Sequence, residues 1–476
     1  MSPIAVAPRA NLVLDAALRR DLVSFVQKVF GTVSPGVPFL PNWHIEAMCH
    51  ELAKVVSGET KRLIITIPPR HLKSICSSVA LPAWVLGHDP TRRVICVSYA
   101  QELAVKHGND CRAVMSSDWY QRLFRGTKID DAKNTETEIM TTKRGFRLST
   151  SVGGILTGRG GNMIIIDDPL KPADAMSDTA RERHIEWYST TLISRLDNKE
   201  EDAIVVVMQR LHEGDLVGHL LQDRGWKHLS LPAIAETEQQ IEIGPGQYHT
   251  RQIGDVLHPT RESRDVLDNI KTGMGSATFA AQYQQTPVPP GGNMIDWNWF
   301  RLYEPNSNRP FEQIVMSWDT AIKATEISDF SVGTVWGSVC DFYYLLDLIR
   351  VRLDYPALRR KVAELYSQHL HTQYPRPILL IEDAGSGTSL IEDLRERNIR
   401  AIPIKPEADK VVRMSAQSAK IEAGEVFLPR HAKWLEDLRT EILAFPNGVH
   451  DDQVDSISQA LHWMSRPRRK VHAVGA

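Results

Sequence analysis

Short apolar runs recur at intervals through the first half of the chain, at positions 63–67, 94–98, 163–166 and 203–208. Longer polar or amphipathic stretches separate them. The central strands of a parallel sheet that is covered by helices on both faces carry apolar residues at every position. The pattern from residue 61 to about 235 therefore predicts an α/β domain built on a parallel sheet.

Residues 236–310 lose this pattern and carry residues typical of turns and linkers. Gly244, Pro245 and Gly246 come first, followed by the sequence PVPPGG, which ends at residue 292. We interpret this region as a hinge or linker with a domain boundary near 290–310, although PVPPGG alone could be a surface loop within one domain. The predicted domains are residues 1–290, with a core at about 40–235, and residues 311–476.

The second half has a different pattern, in which three strand-like runs at 314–319, 330–337 and 342–351 follow closely enough for an antiparallel meander. Helices and strands are then predicted to alternate. The predicted elements are a helix from residue 356, a strand at 377–383, a helix near 389–398, a strand at 399–404, and helices near 410–423 and 431–443. Three antiparallel strands followed by β/α units are the order of the ribonuclease H and resolvase-type nuclease fold. Because a fold hosts many functions, the site has to carry the functional argument.

The composition is that of a soluble protein large enough for two domains, since 476 residues exceed the size of one ordinary core. No apolar run approaches the roughly 18 residues that cross a bilayer. The N-terminal stretch has no apolar segment after its basic residues, so we expect a cytoplasmic protein without membrane contact. A formal net charge of -2 means that nucleic acid would be bound by local basic patches.

A phosphate-binding loop is predicted at residues 68–74, PPRHLKS, which follow an apolar strand and precede a predicted helix. In such a loop Lys73 contacts the β- and γ-phosphates and the Ser74 hydroxyl binds Mg²⁺. The usual pattern is G-x-x-x-x-G-K-[ST], and here Ile67 and Leu72 replace both glycines. By itself, the segment could equally be a surface turn.

A second segment, which is acidic, favours the interpretation of PPRHLKS as a nucleotide site. The apolar run at 163–166 is followed by Asp167 and Asp168. Ligands of open α/β sheets bind at the carboxyl ends of the strands. Asp167 would hold Mg²⁺ together with Ser74, and Asp168 would polarise the attacking water. The alternative is a turn or a helix cap. Arg70 and Arg159 could stabilise charge on the γ-phosphate, with Arg159 reaching a neighbouring subunit, or could be ordinary surface arginines.

Carboxylates at strand ends and on a late helix predict a metal-dependent nuclease site in the second half. They are Asp319, Glu382, Asp383, Asp451, Asp452 and Asp455. Phosphodiester hydrolysis by two metal ions needs hard oxygen ligands from separate elements. Asp319 is predicted in the middle of the first, otherwise apolar strand, where a carboxylate is costly to bury without a cation. The aspartates at 451–455 would share one helix face, or could merely favour a helix N-terminus.

From Trp43 to Trp463 the chain resembles the large subunits of phage terminases. The similar segments are PPRHLKS for the phosphate loop, GGILTGRGGNMIIIDDP for the acidic strand, VVVMQRLHEGDL for the coupling segment, FAAQYQQTP (279–287) for the hinge region, and KVVRMSAQSAKIEAGEVFLP and FPNGVHDDQVDS for the nuclease. The resemblance implies a packaging ATPase joined to a resolvase-like nuclease.

The resemblance also implies cofactors and partners. The cofactors are ATP and Mg²⁺, with Mn²⁺ possible at the nuclease site. The partners are double-stranded DNA, the portal protein of the procapsid, a small terminase subunit, and further copies of the chain in a ring docked on the portal. The expected location is the host cytoplasm, with transient attachment to the procapsid.

The residues that this resemblance assigns fall into two sites. The nucleotide residues are Arg70, His71, Leu72, Lys73, Ser74, Asp167 and Asp168, with Gln209 and Arg210 in the coupling segment. The nuclease residues are Asp319, Glu382 and Asp452, with Asp451, Asp455 and Asp383 left as further metal ligands to be decided. Expected phosphate partners, each of which could also be a solvated surface charge, are Lys405, Lys410, Arg413, Lys420, Arg466, Arg468, Arg469 and Lys470.

Two other functions remain to be weighed against this one. A ribonuclease H-fold nuclease or transposase that takes no part in packaging would use the C-terminal carboxylates but leave Lys73, Asp167 and Asp168 without a role. A structural protein with degenerate sites would hydrolyse neither ATP nor DNA.

Overall fold

A computed structural model describes residues 7–466 except for 155, 157, 288–293, 306–308, 321–329, 371–375, 407–408, 447 and 449. The chain separates into two compact units. The first comprises Met1–Ile270 and Ala277–Val288, and the second comprises Lys271–Ser276 and Pro289–Ala476. Among the helices described, none has the length and apolar character needed to cross a membrane.

The first unit is built on a sheet with the strand order β3-β4-β2-β5-β6-β1-β7. Its strands and an additional hairpin are β1 (Arg62–Thr66), β2 (Arg93–Ser98), β3 (Glu138–Met140), β4 (Phe146–Ser151), β5 (Met163–Asp167), β6 (Ala203–Met208), β7 (Lys227–Ser230), β8 (Gln239–Gly244) and β9 (Gln247–Arg251). All neighbours in the sheet are parallel except β3 and β4. The predicted parallel sheet is therefore confirmed, and β1, β5 and β6 end at one edge.

Helices cover both faces of this sheet, which explains the continuous apolar runs. The helices are α1 (Ala7–Arg20), α2 (Leu22–Val33), α3 (Trp43–Ser57), α4 (Leu81–His88), α5 (Gln101–Ser116), α6 (Asp118–Leu123), α7 (Asp178–Glu186), α8 (Leu216–Leu220), α9 (Arg264–Met274) and α10 (Ser276–Gln282), with π-helices at Ile75–Ala80 and Trp187–Leu192 and 3-10 helices at Asp131–Lys133, Pro172–Asp174 and Ile193–Arg195. Leu63 and Ile65 of β1 pack in one core with Met48. Ile64 packs on the opposite face in a second core with Trp187.

Much of the region that the sequence predicted as a linker is folded into the first unit. Strands β8 and β9 form an antiparallel hairpin, and Ile241 and Ile243 of β8 pack against the first core. Gly244, Pro245 and Gly246 form its turn, where Gly246 has a φ of +67° that glycine adopts without strain. The glycines and proline therefore mark a hairpin turn rather than a linker, while most of PVPPGG lies outside the described residues.

The second unit contains a mixed sheet in the order β10-β16-β13-β12-β11-β14-β15. Its strands are β10 (Arg301–Tyr303), β11 (Gln313–Asp319), β12 (Ser331–Val339), β13 (Phe342–Val351), β14 (Ile378–Glu382), β15 (Ala401–Ile404) and β16 (Val426–Pro429). Strands β11, β12 and β13 form the predicted antiparallel meander, and β14 and β15 continue parallel to β11. The predicted ribonuclease H-like order is confirmed, with β10 and β16 as additions that the sequence did not indicate.

Helices again pack on both faces. They are α11 (Tyr355–Leu370), α12 (Ser386–Glu396), α13 (Lys410–Glu422), α14 (Leu435–Ala444) and α15 (Asp452–Met464), with a 3-10 helix at Trp297–Trp299. Met414, Leu438 and Ile457 bring α13, α14 and α15 into one core. Leu358 and Leu390 bring α11 and α12 into the other. The helix α15 that carries two candidate nuclease aspartates is thereby held against the sheet.

Candidate nucleotide and nuclease sites

The loop between β1 and the π-helix has the backbone of a phosphate-binding turn. Arg70 and Leu72 have φ values of +66° and +63°. This conformation costs a residue with a side chain roughly 1–2 kcal/mol, and glycine adopts it freely. Leu72 stands where the usual loop has glycine, so the turn is kept despite the substitution. Such turns expose successive backbone N–H groups that bind anions.

Two carboxylates meet this loop at the end of β5. Lys73 Nζ lies 3.0 Å from Asp168 Oδ2. The Ser74 hydroxyl donates to Asp167 Oδ1 at 3.1 Å, and the Ser78 hydroxyl donates to Asp167 Oδ2 at 2.7 Å. The structure therefore brings together the lysine, serine and aspartates that the sequence singled out. Ser78, one turn after Ser74, was not predicted.

A buried arginine that the sequence analysis missed adds positive charge near Asp167. Arg147 of β4 is fully buried, and its Nη2 donates to the Ser78 carbonyl at 3.0 Å. Burial raises the pKa of Asp167, while Lys73 and Arg147 lower it. Gly108 of α5 leaves room for this arginine, because a Cβ there would lie 3.0 Å from Arg147 Nη1 and 2.6 Å from Ser149 Oγ. The only sequence signal was a charged residue inside the otherwise uncharged strand FRLSTS.

These groups fit a nucleotide with Mg²⁺. A hydroxyl from Ser74 and a carboxylate from Asp167 are hard oxygen donors of the kind that Mg²⁺ prefers. Gln209 follows β6, and its backbone N–H donates to Asp168 Oδ1 at 3.3 Å. The Gln209 Oε1 atom is buried and has no hydrogen-bond partner among the described residues. A polar side chain next to Asp168 is thus available to a bound group.

His71 and Leu72 turn their side chains toward the protein. His71 is 2% exposed, and its Nδ1–H donates to the Pro69 carbonyl at 2.9 Å. Burial lowers the pKa of His71 to about 4, so its ring is neutral near pH 7. Leu72 packs against the first core. Only their backbone groups are therefore available to a nucleotide, whereas Arg70 is exposed on the loop.

Arg210 does not face the nucleotide site in the way that the sequence analysis expected. Its Nε lies 3.0 Å from both oxygens of Asp215, which is completely buried. Asp215 also accepts the N–H of Gly218 in the first turn of α8. The arginine neutralises a buried helix cap, and its backbone N–H donates to Gln285 Oε1 at 3.0 Å.

The structure also does not bring Arg159 to the phosphate loop. Its two terminal nitrogens form a bidentate pair with Glu138 of β3, at 3.0 and 2.6 Å. Strand β3 lies five positions from β1 in the sheet, or about 24 Å at the usual strand spacing. The contact with Glu138 forms only through folding, and the predicted role of Arg159 at the nucleotide of a neighbouring subunit stays a prediction.

Four carboxylates converge in the second unit. Asp319 ends β11 and Glu382 ends the adjacent parallel strand β14, so both emerge at one edge of the sheet. Asp452 and Asp455 occupy the first turn of α15. Burial raises the pKa of Asp319 well above its usual value, and the charges of Asp455, Glu382 and Asp452 raise it further. Burial also raises the pKa of Asp455 to about 6. Repulsion between these like charges is relieved by a bound cation or by protonation of a carboxyl group.

Helix α13 supplies two cations to this cluster. Arg413 Nη1 lies 3.3 Å from Glu382 Oε2, and its Nη2 lies 2.8 Å from Asp455 Oδ1. Lys410 pairs with Asp451. Lys410 and Arg413 belong to the predicted phosphate partners, and both are paired with carboxylates in the structure. The cluster offers carboxylate oxygens from several elements of the fold. Proteins hold divalent cations with oxygen ligands of this kind, so the cluster fits divalent cations.

The sequence left open which of Glu382 and Asp383, and which of Asp451 and Asp452, belongs to the metal site. Thr388 Oγ1 donates to Asp383 Oδ1 at 2.9 Å, whereas Glu382 faces Arg413. Asp452 contributes charge to Asp319, and its Oδ2 accepts the N–H of Phe330 at 3.3 Å. Glu382 and Asp452 are therefore the members of each pair whose charges raise the pKa of Asp319, and Asp451 is paired with Lys410.

The remaining predicted phosphate partners are dispersed. Lys420 Nζ donates to Gln417 Oε1 at 2.8 Å and is half-buried. Lys405 and Arg466 line a cavity beside α15. Arg468, Arg469 and Lys470, which were also predicted, lie outside the described residues.

A buried polar contact that the sequence did not reveal positions α15 on the sheet. The Ser317 hydroxyl donates to the Ser456 carbonyl, and the Ser456 hydroxyl donates to the Ser317 carbonyl, both at 2.9 Å. Glu441 of α14 accepts the N–H groups of Gln453 at 2.6 Å and Val454 at 3.3 Å. A carboxylate at a helix N-terminus stabilises the first turn, where Asp452 and Asp455 lie.

A close approach after β14 fixes Glu382. A Cβ at Gly387 would lie 2.0 Å from the Glu382 carbonyl oxygen, so only glycine fits there without movement of the backbone. The sequence EDAGSG contained this signal, but nothing in the pattern distinguished a close contact from an ordinary turn.

Comparison with known proteins agrees with this geometry. The family model of the terminase RNaseH-like domain matches residues 316–463. No curated protein shows a significant match to the sequence. The large terminase of a thermophilic bacteriophage has a similar structure in its complex with ADP, with a TM-score of 0.50, 11% identity, and coverage of 87% of this chain and 98% of that one.

Two further crystals of the same phage terminase give equivalent values. One has a TM-score of 0.51 at 11% identity, and the complex with ATP-gamma-S has a TM-score of 0.50 at 12% identity. Both alignments cover 87% of this chain and 98% of the phage chain. The predicted resemblance to phage terminase large subunits is therefore confirmed: residues 316–463 match the terminase RNaseH-like domain, and the chain has the fold of a phage large terminase.

Proposed function

We propose that this chain is the large terminase subunit of a tailed bacteriophage or prophage, which translocates double-stranded DNA by hydrolysing ATP and cuts concatemers with a metal-dependent nuclease. The observation that carries the proposal is the convergence of Asp319, Glu382, Asp452 and Asp455 within a terminase-type domain. A separate Lys73, Ser74, Asp167 and Asp168 cluster in the first unit supports the ATPase half.

In the proposed ATPase site, the loop backbone and Lys73 would bind the phosphates, and Ser74 and Asp167 would hold Mg²⁺, which would supply positive charge to the phosphates. Asp168 lies beside Lys73 and the Gln209 N–H, where a carboxylate can orient water. The exposed Arg70 can reach a phosphate. The ADP and ATP-gamma-S complexes of the thermophilic phage terminase support nucleotide as the ligand.

In the proposed nuclease, the four carboxylates would hold Mg²⁺ or Mn²⁺, which activates water and stabilises the leaving oxygen. Arg413 and Lys410 balance the carboxylate charge in the protein itself. Contacts to phosphates rather than to base edges would suit a motor that packages any sequence.

The partners follow from the proposed role rather than from a contact in this structure. We expect the portal protein, the small terminase subunit and the procapsid as partners, a ring of several copies when docked on the portal, and work in the host cytoplasm. The alternative function, a nuclease or transposase without packaging activity, does not explain the cluster of Lys73, Ser74 and Asp167 in the first unit.

Paired substitutions test both halves of the proposal. Lys73→Ala should abolish ATP hydrolysis but retain plasmid cleavage with Mn²⁺, and Asp319→Ala should do the opposite. Lys106→Ala, on an exposed helix surface, and Asp437→Ala, at the exposed start of α14, are matched controls. Wild-type ATP turnover in Lys73→Ala would remove the ATPase assignment, and cleavage by Asp319→Ala would remove the nuclease assignment.

A further inference from the structure

A cavity of about 610 Å³ lies in the second unit beside the carboxylate cluster. Its walls come from β15 and the segment after it, from α13, and from the last turns of α15. Pockets of roughly 300–1,000 Å³ accommodate small ligands and are too small for a DNA duplex. The cavity therefore fits one small group.

The chemistry of the wall is apolar and cationic. Ile404, Pro406 and Trp463 provide apolar and aromatic surface, while Lys405, Arg413 and Arg466 provide positive charge. The residues that line the cavity in the described structure include no aspartate or glutamate. Such a wall is complementary to a ligand that combines an aromatic ring with an anionic group.

Two residues that line the cavity each carry a buried polar atom with no hydrogen-bond partner within the described residues. The two atoms are Arg413 Nε and Gln459 Oε1. The Gln459 side chain is 6% exposed, and its Nε2 is fixed by donation to Ser317 Oγ at 2.9 Å. Buried polar atoms are nearly always paired, so unpaired ones beside a cavity indicate a polar ligand or water.

The cavity and the nuclease site share one arginine and one helix. Arg413 both lines the cavity and contacts Glu382 and Asp455. Helix α15 carries Asp455 in its first turn and Trp463 near its end. Eight residues of helix rise about 12 Å, which is roughly three to four stacked nucleotides along a DNA strand.

We propose that this cavity binds one unstacked nucleotide of the DNA strand at the nuclease site. Its base stacks on Trp463 in place of the Arg466 guanidinium, which lies 4.9 Å from the ring centroid, and its phosphate contacts Lys405, Arg413 or the displaced Arg466. Stacking on an aromatic side chain tolerates any base, which suits a nuclease that works on any sequence. The inference rests on the proposed nuclease function and adds a binding site for the DNA strand near the cleavage position.

Binding of a labelled single-stranded oligonucleotide to the full chain, measured by fluorescence anisotropy with Ca²⁺ in place of Mg²⁺, tests the proposal. Trp463→Ala should weaken binding by about 5- to 150-fold, the usual loss for one stacked base, and Trp463→Phe should restore most of it. Trp434→Phe, outside the cavity, is the aromatic control. Wild-type affinity in folded Trp463→Ala would overturn the proposal.

Lys405→Glu gives an independent measurement, because this exposed residue can be changed without disturbing the core. It should weaken oligonucleotide binding more than Lys433→Glu, which places the same charge change at an exposed position outside the cavity. Equal effects would overturn the proposal even if Trp463→Ala failed to fold. If the wild-type chain cleaves plasmid DNA but the variants bind as it does, the cavity assignment alone fails; if the wild-type chain does not cleave, the nuclease function fails.

Discussion

At the scale of single residues, Arg413 has the most consequential position, because one guanidinium lies between Glu382 and Asp455. Arg413→Gln would leave these carboxylates without their cation. We expect the metal-free variant to lose roughly 1–3 kcal/mol of unfolding free energy, the usual penalty for an unpaired buried group. Added Mn²⁺ should recover much of the loss because it supplies the missing charge.

Thermal unfolding with EDTA and with Mn²⁺ measures this effect. Arg439→Gln, at an exposed position of α14, is the control. An equal shift of the midpoint under both conditions would show that Arg413 has no specific relation to the carboxylates.

A cluster of three buried histidine rings, one of them from the phosphate loop itself, predicts acid sensitivity. His44, His71 and His258 lie with ring centroids 5.3–6.2 Å apart. Burial lowers the pKa of each, that of His71 to about 4. The unfolded chain therefore binds protons more readily below the ordinary pKa of 6.5, so stability that is complete above pH 6.5 is lost as the pH falls toward 4.

His44→Leu should flatten this pH dependence, because neither ring nitrogen of His44 has a hydrogen-bond partner among the described residues. The measurement is the unfolding midpoint between pH 7.5 and pH 4.5, with the exposed His431→Leu as control. A pH profile in His44→Leu as steep as that of the wild-type chain would contradict the account.

The roles of residues could be predicted from the sequence where a local motif defines them. They could not be predicted where the role depends on a contact with a residue distant in sequence. Lys73, Ser74, Asp167 and Asp168 came from a strand, a loop and a second strand that the sequence marks clearly. Arg147 was missed because its contact with Ser78 exists only after folding. Arg210 was assigned to the nucleotide because of a neighbouring motif, but its side chain is paired with Asp215. Arg159 is paired with Glu138 of its own chain, and its role at a neighbouring subunit stays a prediction.

At the scale of elements, the first turn of α15 depends on α14. Glu441 accepts N–H groups of Gln453 and Val454, and its charge favours the positive end of the helix. Glu441→Gln keeps the shape but removes the charge. We expect a loss of roughly 1–2 kcal/mol of stability in the second unit and reduced plasmid cleavage, with ATP hydrolysis unchanged.

The control is Glu436→Gln, at an exposed position of the same helix. Unfolding and plasmid cleavage of both variants distinguish the loss of the helix cap from the loss of a surface charge. Equal cleavage by both variants would show that the cap does not position the carboxylates.

Elements with continuous burial were predicted better than half-exposed ones. All residues of β5 and β6 are buried, and their apolar runs marked them almost to the residue. The hairpin of β8 and β9 has polar residues at exposed positions, so its Gly-Pro-Gly turn looked like a linker. Strand β10 lies at the sheet edge and β16 lies next to it, and both are short strands whose pairing depends on contacts distant in sequence.

At the scale of the whole molecule, a chain of contacts in the first unit runs from the nucleotide site to the segment that leaves it. Lys73 pairs with Asp168, Asp168 accepts the Gln209 N–H, and the next N–H, from Arg210, donates to Gln285. Gln285 lies three residues before Val288, where the first unit ends. We expect that the loss of a γ-phosphate at the proposed site would be transmitted along these contacts as far as Gln285.

Gln285→Ala should keep ATP hydrolysis within a few-fold of the wild-type rate but abolish DNA packaging into procapsids, because the link is broken downstream of the chemistry. Gln252→Ala, at an exposed position of the same unit, is the control. Packaging at the wild-type rate by Gln285→Ala would exclude this route.

The location of metal ions tests the central claim most directly. Crystals of the chain soaked in MnCl₂ and measured at the manganese absorption edge should show anomalous peaks in contact with Asp319, Glu382 and Asp452, and these peaks should vanish in Asp319→Ala. Manganese bound elsewhere in the second unit, with none at Asp319, would contradict the account.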